Sequence, residues 1–521
     1  MNLGQVARLL AGFALFFSAS LLVPMAVALG EETELATKRS FAISLGVGLA
    51  SAIGLWLLGR GSSRDIFRKE GLAVVGLAWL VAGGLGALPF VCSGAIPSAV
   101  DGFFESISGL TTTGATVLGT NNLAIDSLPT SILLWRAMMQ WMGGMGIILV
   151  FIVLLPGMGV TGSRLLSSEQ VGVASGMDQP RMQEQARRLF GLYIVLTLLA
   201  GLGYSLVGLG PFDAVCHAFT TVATGGFSNH NVSIGGYQNL GVELVAIAFM
   251  FLAGCNFLLL VRVAIGRRRT QRSSLLHDTE FRVYLGLTLV IAAAMTLSLW
   301  FAGGSVRDDS LGITRDYDHL GHCARDALFQ TVSILTSTGY CTADFQNWPK
   351  TAIGLLVLCM FVGGCTGSTS GGFKVLRLVV CSKLVGYALR HFVKPRSVEK
   401  LKIGPDVIPD RIVSAILALL LLWLATVAAG TFILSFDARL DLVSAFTVSV
   451  SMMGCTGPAI SGVVEAAAGE YELVGGLNIG PYGGYGALHP AAKLFMSLQM
   501  ILGRLEILAP LALLTPAFWR R

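Results

Sequence analysis

Four phrases in this 521-residue chain place small, mostly hydroxyl-bearing residues directly before a glycine. They read Thr111-Thr112-Thr113-Gly114, Ala223-Thr224-Gly225, Ser337-Thr338-Gly339 and Cys455-Thr456-Gly457. Such phrases offer neutral oxygen donors, both hydroxyl and carbonyl. A ring of carbonyl oxygens can replace the hydration shell of a monovalent cation. Glycine lets an extended segment pack closely and turn through positive φ. A single phrase of this kind would serve as a polar turn. Four of them, separated by 111, 114 and 118 residues from glycine to glycine, indicate an internal repeat.

The elements that must position these phrases follow from composition. The chain is 54% hydrophobic and 13% charged, with a mean hydropathy of +0.72. A soluble protein carries about 25% charge. Apolar runs cover residues 9–29, 41–58, 72–91, 132–155, 189–210, 244–261, 284–302, 352–360 and 412–436, all uncharged but for Arg136, and 494–518 carries one Arg-Leu-Glu. A helix needs about 20 such residues to cross a bilayer, so the chain is an all-α polytopic membrane protein. Each phrase sits in the same order: a long run, an aspartate, a half-length apolar helix, the glycine, a second long run. The aspartates Asp101, Asp213, Asp326 and Asp441 precede their glycines by 13, 12, 13 and 16 residues. Aspartate is a favoured N-cap, and each is expected to cap its short helix. From cap to glycine is roughly 15–20 Å of helix at 1.5 Å per residue, about half a membrane, so the segment re-enters. Irregular backbone at that depth survives only against water or protein. The short helices would aim their negative C-terminal ends at a common axis.

Charge gives the orientation. The formal net charge of +6 is spread in clusters rather than one patch, which argues against a nucleic-acid partner. The clusters are Arg60, Arg64, Arg68 and Lys69; Arg181, Arg187 and Arg188; Arg267, Arg268, Arg269 and Arg272; Arg390, Lys394, Arg396, Lys400 and Lys402; and Arg520 with Arg521. Residues 91–131 and 205–240 contain no Lys or Arg, so the positive-inside rule puts the phrases outside and both termini in the cytoplasm. The loop at 303–325 carries Arg307, Arg315 and Arg325, accompanied by Asp308, Asp309 and Asp316. Ala26-Val27-Ala28 after Arg8 has the form of a signal-peptide cleavage site, but the apolar run is long for that role. The nine cysteines include no C-x-x-C pair, and the histidines show no ligand spacing. No P-loop occurs.

A second anomaly is "FVGGCTGSTSGGFK", residues 361–374, inside an apolar run. Gly363, Gly364, Thr366, Gly367, Ser368, Thr369, Ser370, Gly371 and Gly372 make a poor helix, each glycine costing roughly 1 kcal/mol against alanine. A small-residue packing face is the plain alternative; an unwound intramembrane loop fits better. Arg504 lies in the last span, where an arginine costs at least about 2.5–3.5 kcal/mol. Snorkelling or pairing with Glu506 would relieve it. Glu243, at the start of a span, reads as an interfacial carboxylate.

On these residues the chain resembles the membrane subunit of the TrkH/KtrB/HKT superfamily of potassium transporters, in its TrkH branch. The resemblance implies four pseudo-repeats of span, re-entrant pore helix with filter segment, and span around a central pore, plus two N-terminal transmembrane helices. The corresponding boundaries are 1–60, 61–160, 161–270, 271–400 and 401–521. It implies K⁺ uptake across the bacterial inner membrane, with one filter glycine per repeat at Gly114, Gly225, Gly339 and Gly457, and no organic cofactor. The filter would comprise Thr111, Thr112, Thr113 and Gly114; Ala223, Thr224 and Gly225; Ser337, Thr338 and Gly339; and Cys455, Thr456 and Gly457. The loop at 363–372 would be the gate, with Lys374 and Arg377 at its foot. Arg504 would act as an electrostatic barrier below the filter. Implied partners are a TrkA-like cytosolic nucleotide-binding subunit, membrane lipid and a second copy in a homodimer. The rival reading is a symporter coupled to H⁺ or Na⁺, built on broken helices. A membrane-embedded enzyme would need a catalytic dyad at depth, and no convincing spacing supplies one.

Overall fold

The computed structural model describes residues 2–31, 34–62, 68–119, 123–158, 179–265, 275–308, 311–395, 401–403, 406–465, 471–473 and 476–519. Asp309, Arg64, Arg267, Arg268, Arg269, Arg272, Arg396, Lys400, Arg520 and Arg521 lie outside the described residues, as do the expected boundaries near 160 and 270. The fold is helical. Among the described residues six helices are long and apolar enough to cross a membrane, and seven if one bent pair counts as a single span.

The chain starts with α1 (Leu3–Ser20) and α2 (Leu22–Gly30), which together form one span, and returns through α3 (Leu35–Leu58). The Asn2 side chain accepts from the Gln5 amide at 3.2 Å, so α1 begins with a polar cap. Helices α1 and α3 meet through small residues, Ser18 against Gly48 and Gly4 against Gly59. Small-residue contacts let apolar helices approach where no water is released by packing.

Four units follow. The first has α4 (Arg68–Ser93), short α5 (Ala99–Leu110) and α6 (Thr130–Met158). The second has α7 (Gln179–Leu206), short α8 (Pro211–Val222), then α9 (Leu240–Ala253) and α10 (Phe257–Ile265). The third has α11 (Thr279–Ala302), short α12 (Leu320–Leu335), then α13 (Lys350–Val362) and α14 (Val375–Val393). The fourth has α15 (Asp410–Leu434), short α16 (Leu442–Gly454), then α17 (Pro490–Arg504) and α18 (Leu508–Leu514). A terminal turn, α19 (Pro516–Trp519), and three two-stranded hairpins complete the described chain.

The buried apolar residues collect at the seams between units. Trp141 of α6 joins Tyr193 and Phe257 of the second unit. Tyr204 and Met250 join Phe329 and Val332 of the third. Tyr284 and Leu335 join Trp423 and Met453 of the fourth. Val448 and Met500 join Phe104 and Met139 of the first. Units one to four therefore pack in cyclic order, which is what a central axis requires.

Two expectations change here. The run at 244–261 is not one straight span: α9 and α10 are bent by 101° at residues 254–256. Asn256 is an internal N-cap, accepting from Leu258 at 2.9 Å. The aspartates also do not share one role. Asp441 caps α16, accepting from Ser444 at 2.9 Å. Helix α5 is capped by Ser98, α8 starts at Gly210, and α12 starts at His319 well before Asp326. Asp101, Asp213 and Asp326 instead hold partners across space. Asp101 pairs with Lys493, Asp213 accepts from Asn229 at 2.7 Å, and Asp326 pairs with Arg315 at 2.7 Å. Fixed counter-groups were within reach, so the carboxylates serve tertiary anchoring rather than the helix end.

Candidate functional site: a ring of four glycine segments above a buried loop

Each short helix ends in the same way. Its last turn is closed by a residue in the left-handed region: Thr112 (φ 52), Thr224 (φ 52), Ser337 (φ 54) and Cys455 (φ 52). The amides of these residues donate to the carbonyls three back, Gly109, Thr221, Ile334 and Met452, at 3.0–3.3 Å. The next amides, of Thr113, Gly225, Thr338 and Thr456, donate to Ser108, Thr220, Ser333 and Ser451 at 2.8–3.0 Å. This paired closure satisfies helix-end carbonyls and usually places glycine at the left-handed site. Here a side chain occupies it four times. Non-glycine residues in that region cost of order 1–3 kcal/mol each and persist where the surroundings over-determine them.

Two residues further on the chain turns again at Gly114 (φ 79), Gly226 (φ 82), Gly339 (φ 82) and Gly457 (φ 99). Dihedrals and hydrogen bonds thus put Gly226 in register with the other three glycines. Gly225, the residue expected from spacing, takes the place of Thr113, Thr338 and Thr456. The four glycines close a circle. A Cβ placed on Gly114 would come within 3.0 Å of the Gly225 carbonyl oxygen. Gly226 stands in the same relation to Thr338, Gly339 to Thr456, and Gly457 to Thr113. Each unit's glycine admits the carbonyl of the next unit, and the fourth returns to the first.

The hydroxyls are arranged with twofold rather than fourfold likeness. Thr111 Oγ1 bonds Thr113 Oγ1 at 2.7 Å, and Thr336 Oγ1 bonds Thr338 Oγ1 at 2.7 Å. In the second and fourth units the first position is Ala223 or Gly454, and the link cannot form. Other groups brace those segments. Gln140 on α6 donates Nε2 to the Gly225 carbonyl at 2.6 Å and accepts from the Phe227 amide at 3.1 Å. Tyr485 donates to the Gly457 carbonyl at 2.7 Å. Arg136, one turn before Gln140, forms a fully buried ion pair with Glu105 at 2.9 Å, donates to the Ser228 carbonyl at 3.1 Å, and lies 4.1 Å over the Phe227 ring. Arg136 and Gln140 were not singled out from sequence. Their signal was two polar residues at i and i+4 within an apolar run.

On the side of the short helices' N-termini the ring opens into a cavity lined by Gly114, Gly226, Gly339, Gly457, Arg136 and Tyr485 among others. Burial lifts the phenol of Tyr482, in the loop lining this cavity, well above its ordinary value, so it presents a neutral hydroxyl.

On the other side lies the loop at 363–372. It leaves α13 at Gly363 (φ 72), turns at Gly367 (φ 76) and rejoins at Gly372 (φ 78). The Phe373 and Lys374 amides donate back to Phe361 and Val362 at 3.0 and 2.8 Å, closing it as a hairpin. Inside, Ser368 donates to the Cys365 carbonyl at 2.6 Å, and the Gly364 amide donates to Ser370 Oγ at 3.1 Å. The loop's outward contacts reach the second and fourth units and other elements of its own. The Cys365 amide donates to the Gly254 carbonyl at 2.9 Å, and the Phe257 amide donates to the Gly367 carbonyl at 3.2 Å, both at the α9–α10 bend. Thr224 donates to Thr369 Oγ1 at 3.3 Å, the Gly371 amide donates to Ser337 Oγ at 2.5 Å, and Gly371 packs on Gly454. Glu280 accepts from the Thr366 amide at 2.5 Å.

Arg504 ends α17 and is 3% exposed. It neither reaches solvent nor pairs with Glu506; its Nη1 donates to the Thr369 carbonyl at 2.6 Å. Glu506 instead takes Arg377 at 2.5 Å, and Lys374 Nζ donates to the Ser370 carbonyl. Glu243 is buried and receives two Arg325 nitrogens at 2.7 Å. A second, small cavity lies between the loop, Trp423 and the α17–α18 turn.

Known proteins resemble this chain along its whole length. The family model for TrkH, described as cation transport protein, matches residues 40–471. The chain is 33% identical over 530 residues to the Trk system potassium uptake protein TrkH of Salmonella typhimurium, and equally to that of Escherichia coli, covering 100% of both chains in each case. It is 30% identical over 520 residues to the Trk system potassium uptake protein TrkG of Escherichia coli, covering 99% of each. The crystal structure of the potassium transporter TrkH from Vibrio parahaemolyticus superimposes with a TM-score of 0.85 at 31% identity, covering 100% of both chains.

Proposed function

The chain belongs to the TrkH family of cation transport proteins, and on that premise we propose that it takes up potassium through the four-glycine ring. The observation that carries the reading is the closed circle, in which each glycine admits the next unit's carbonyl. Such a ring presents oxygens from four sides and leaves no space for a side chain. Carbonyl oxygens then stand in for the water a monovalent cation sheds. The membrane potential supplies about 2.3 kcal/mol per charge per 100 mV. The filter is formed by Thr111–Gly114, 223–226, 336–339 and 454–457, with Gly226 taking the place first given to Gly225.

In this reading the loop at 363–372 is the gate, because its contacts with Thr224, Ser337 and Gly454 close the ring from below. Arg504 is the barrier that keeps a cation from resting there. The protein lies in the bacterial inner membrane with the charged loops and termini in the cytoplasm. A TrkA-like nucleotide-binding subunit docks on those loops, and two copies form a dimer. Glu280 favours a second reading: this buried carboxylate holds the gate's Thr366 amide, and a coupled symporter needs an acid at such a place. The deciding experiment is ⁸⁶Rb⁺ flux into proteoliposomes, competed by Na⁺, with and without a pH gradient. Flux that follows voltage alone supports the channel-like reading. Flux that requires the pH gradient and is lost in Glu280→Gln supports coupling. No Rb⁺ flux under either condition overturns both.

A further inference from the structure

We infer that the cavity on the loop side of the ring is a seat for a small inorganic anion of the chloride class. Three cations face this cavity, Lys374, Arg377 and Arg504, against one carboxylate, Glu506. They are only 4%, 5% and 3% exposed. The two arginines keep N–H groups that the described residues do not engage. Arg504 gives Nη1 to the Thr369 carbonyl, but among the described residues its Nε and Nη2 have no partner. Arg377 gives Nη2 to Glu506 and Nη1 to the Phe373 carbonyl, and its Nε likewise has none among them. Glu506 is engaged by Arg377 through one oxygen. Glu280 bonds the Thr366 amide instead and is not part of this cavity's wall.

Guanidinium groups held away from water demand both a counter-charge and acceptors for their N–H groups. A single anion in the cavity supplies the two together. The rest of the wall selects its type. Phe373, Leu419, Trp423 and Ile507 are apolar, so a spherical, weakly hydrated halide suits the space better than a strongly hydrated oxyanion. The seat adjoins the cations that grip the Thr369 and Ser370 carbonyls of the loop. The cavity's charge and geometry call for an anion whichever cation passes the ring.

The test uses the full-length protein in detergent micelles, exchanged into choline gluconate and titrated with choline bromide at constant ionic strength. The unfolding temperature is followed, and crystals grown with choline bromide are searched for the anomalous signal of bromine. The expected result is a saturating upward shift and an anomalous peak beside Arg504 and Arg377. Lys374→Met and Arg377→Gln should each weaken the apparent bromide affinity at least about tenfold, while Arg377→Lys keeps it within about threefold. Absence of a peak in this cavity overturns the inference. So does a bromide shift that is equal in all variants, or a lipid phosphate that stays in the cavity throughout the titration. If a variant fails to fold, the wild-type peak alone decides.

Discussion

The glycine ring and the loop beneath it draw on the same vocabulary of glycine, serine and threonine, yet they are held in opposite ways. The ring is made four times over. Every segment hangs from its own short helix by the same two backbone hydrogen bonds, and neighbours meet by shape, carbonyl against glycine. The loop exists once. It is tied to elements of the second and fourth units by single bonds from Gly254, Gly367, Thr369 and Arg504. Its charged contacts come from side chains rather than from repeated backbone. A fourfold structure fixed locally resists displacement, because moving one segment means breaking its helix end. A unique structure fixed by dispersed contacts releases as a unit when a few of them break. On the function proposed above, the same residue types would serve permanence in one place and movement in the other.

Added atoms should disturb the ring most. Gly339→Ser or Gly226→Ser places a side chain against the next unit's carbonyl at a positive φ. Uptake of ⁸⁶Rb⁺ at low external K⁺ should fall by about 100-fold, a loss of roughly 2.7 kcal/mol, with normal protein levels on immunoblots. Gly225→Ser should be several-fold milder, because its side chain would meet the movable Gln140 amide rather than backbone. Equal effects at 225 and 226 would refute the register. Next in size, a chain lacking residues 366–369 should show resting Rb⁺ flux raised about tenfold in proteoliposomes, with ring selectivity retained. Unchanged flux would remove the gate assignment. Gln140→Leu leaves the Gly225 carbonyl and the Phe227 amide without their partner. A cost of about 1–3 kcal/mol should appear as a five- to tenfold drop in the K⁺/Na⁺ flux ratio. The smallest effect should come from Thr113→Val and Thr338→Val. Each loses one hydroxyl link worth about 0.5–1.5 kcal/mol, and the two should lower uptake by the same two- to fivefold. A marked difference between them would show that the first and third units are not equivalent.

The ring and the loop were legible because their chemistry is anomalous in an apolar chain: hydroxyls and glycines at a steady interval, and a run of small residues where a span should continue. Register was not legible. Gly225 and Gly226 are adjacent, and only dihedrals tell which one turns. An N-cap is a local inference, whereas Asp101 is claimed by Lys493 of the fourth unit and Asp326 by Arg315 of the hairpin preceding its own helix. The partner of Glu243 was hidden too, Arg325 lying 82 residues away. The α9–α10 bend hid inside an apolar run, since hydropathy averages over a single Gly-Cys-Asn step. What sequence conveyed was composition and period; what it withheld was partnership at a distance.

The circle closes where Gly457 meets the carbonyl of Thr113, so its first and last walls are 344 residues apart in the chain. Contacts of such separation form late, after the intervening chain has been ordered. A ribosome making this protein therefore inserts three quarters of the perimeter before the breach can be sealed. Chains interrupted before the fourth unit have an open side and no complete ring, so an unfinished copy in the membrane should be structurally unable to act as a finished one.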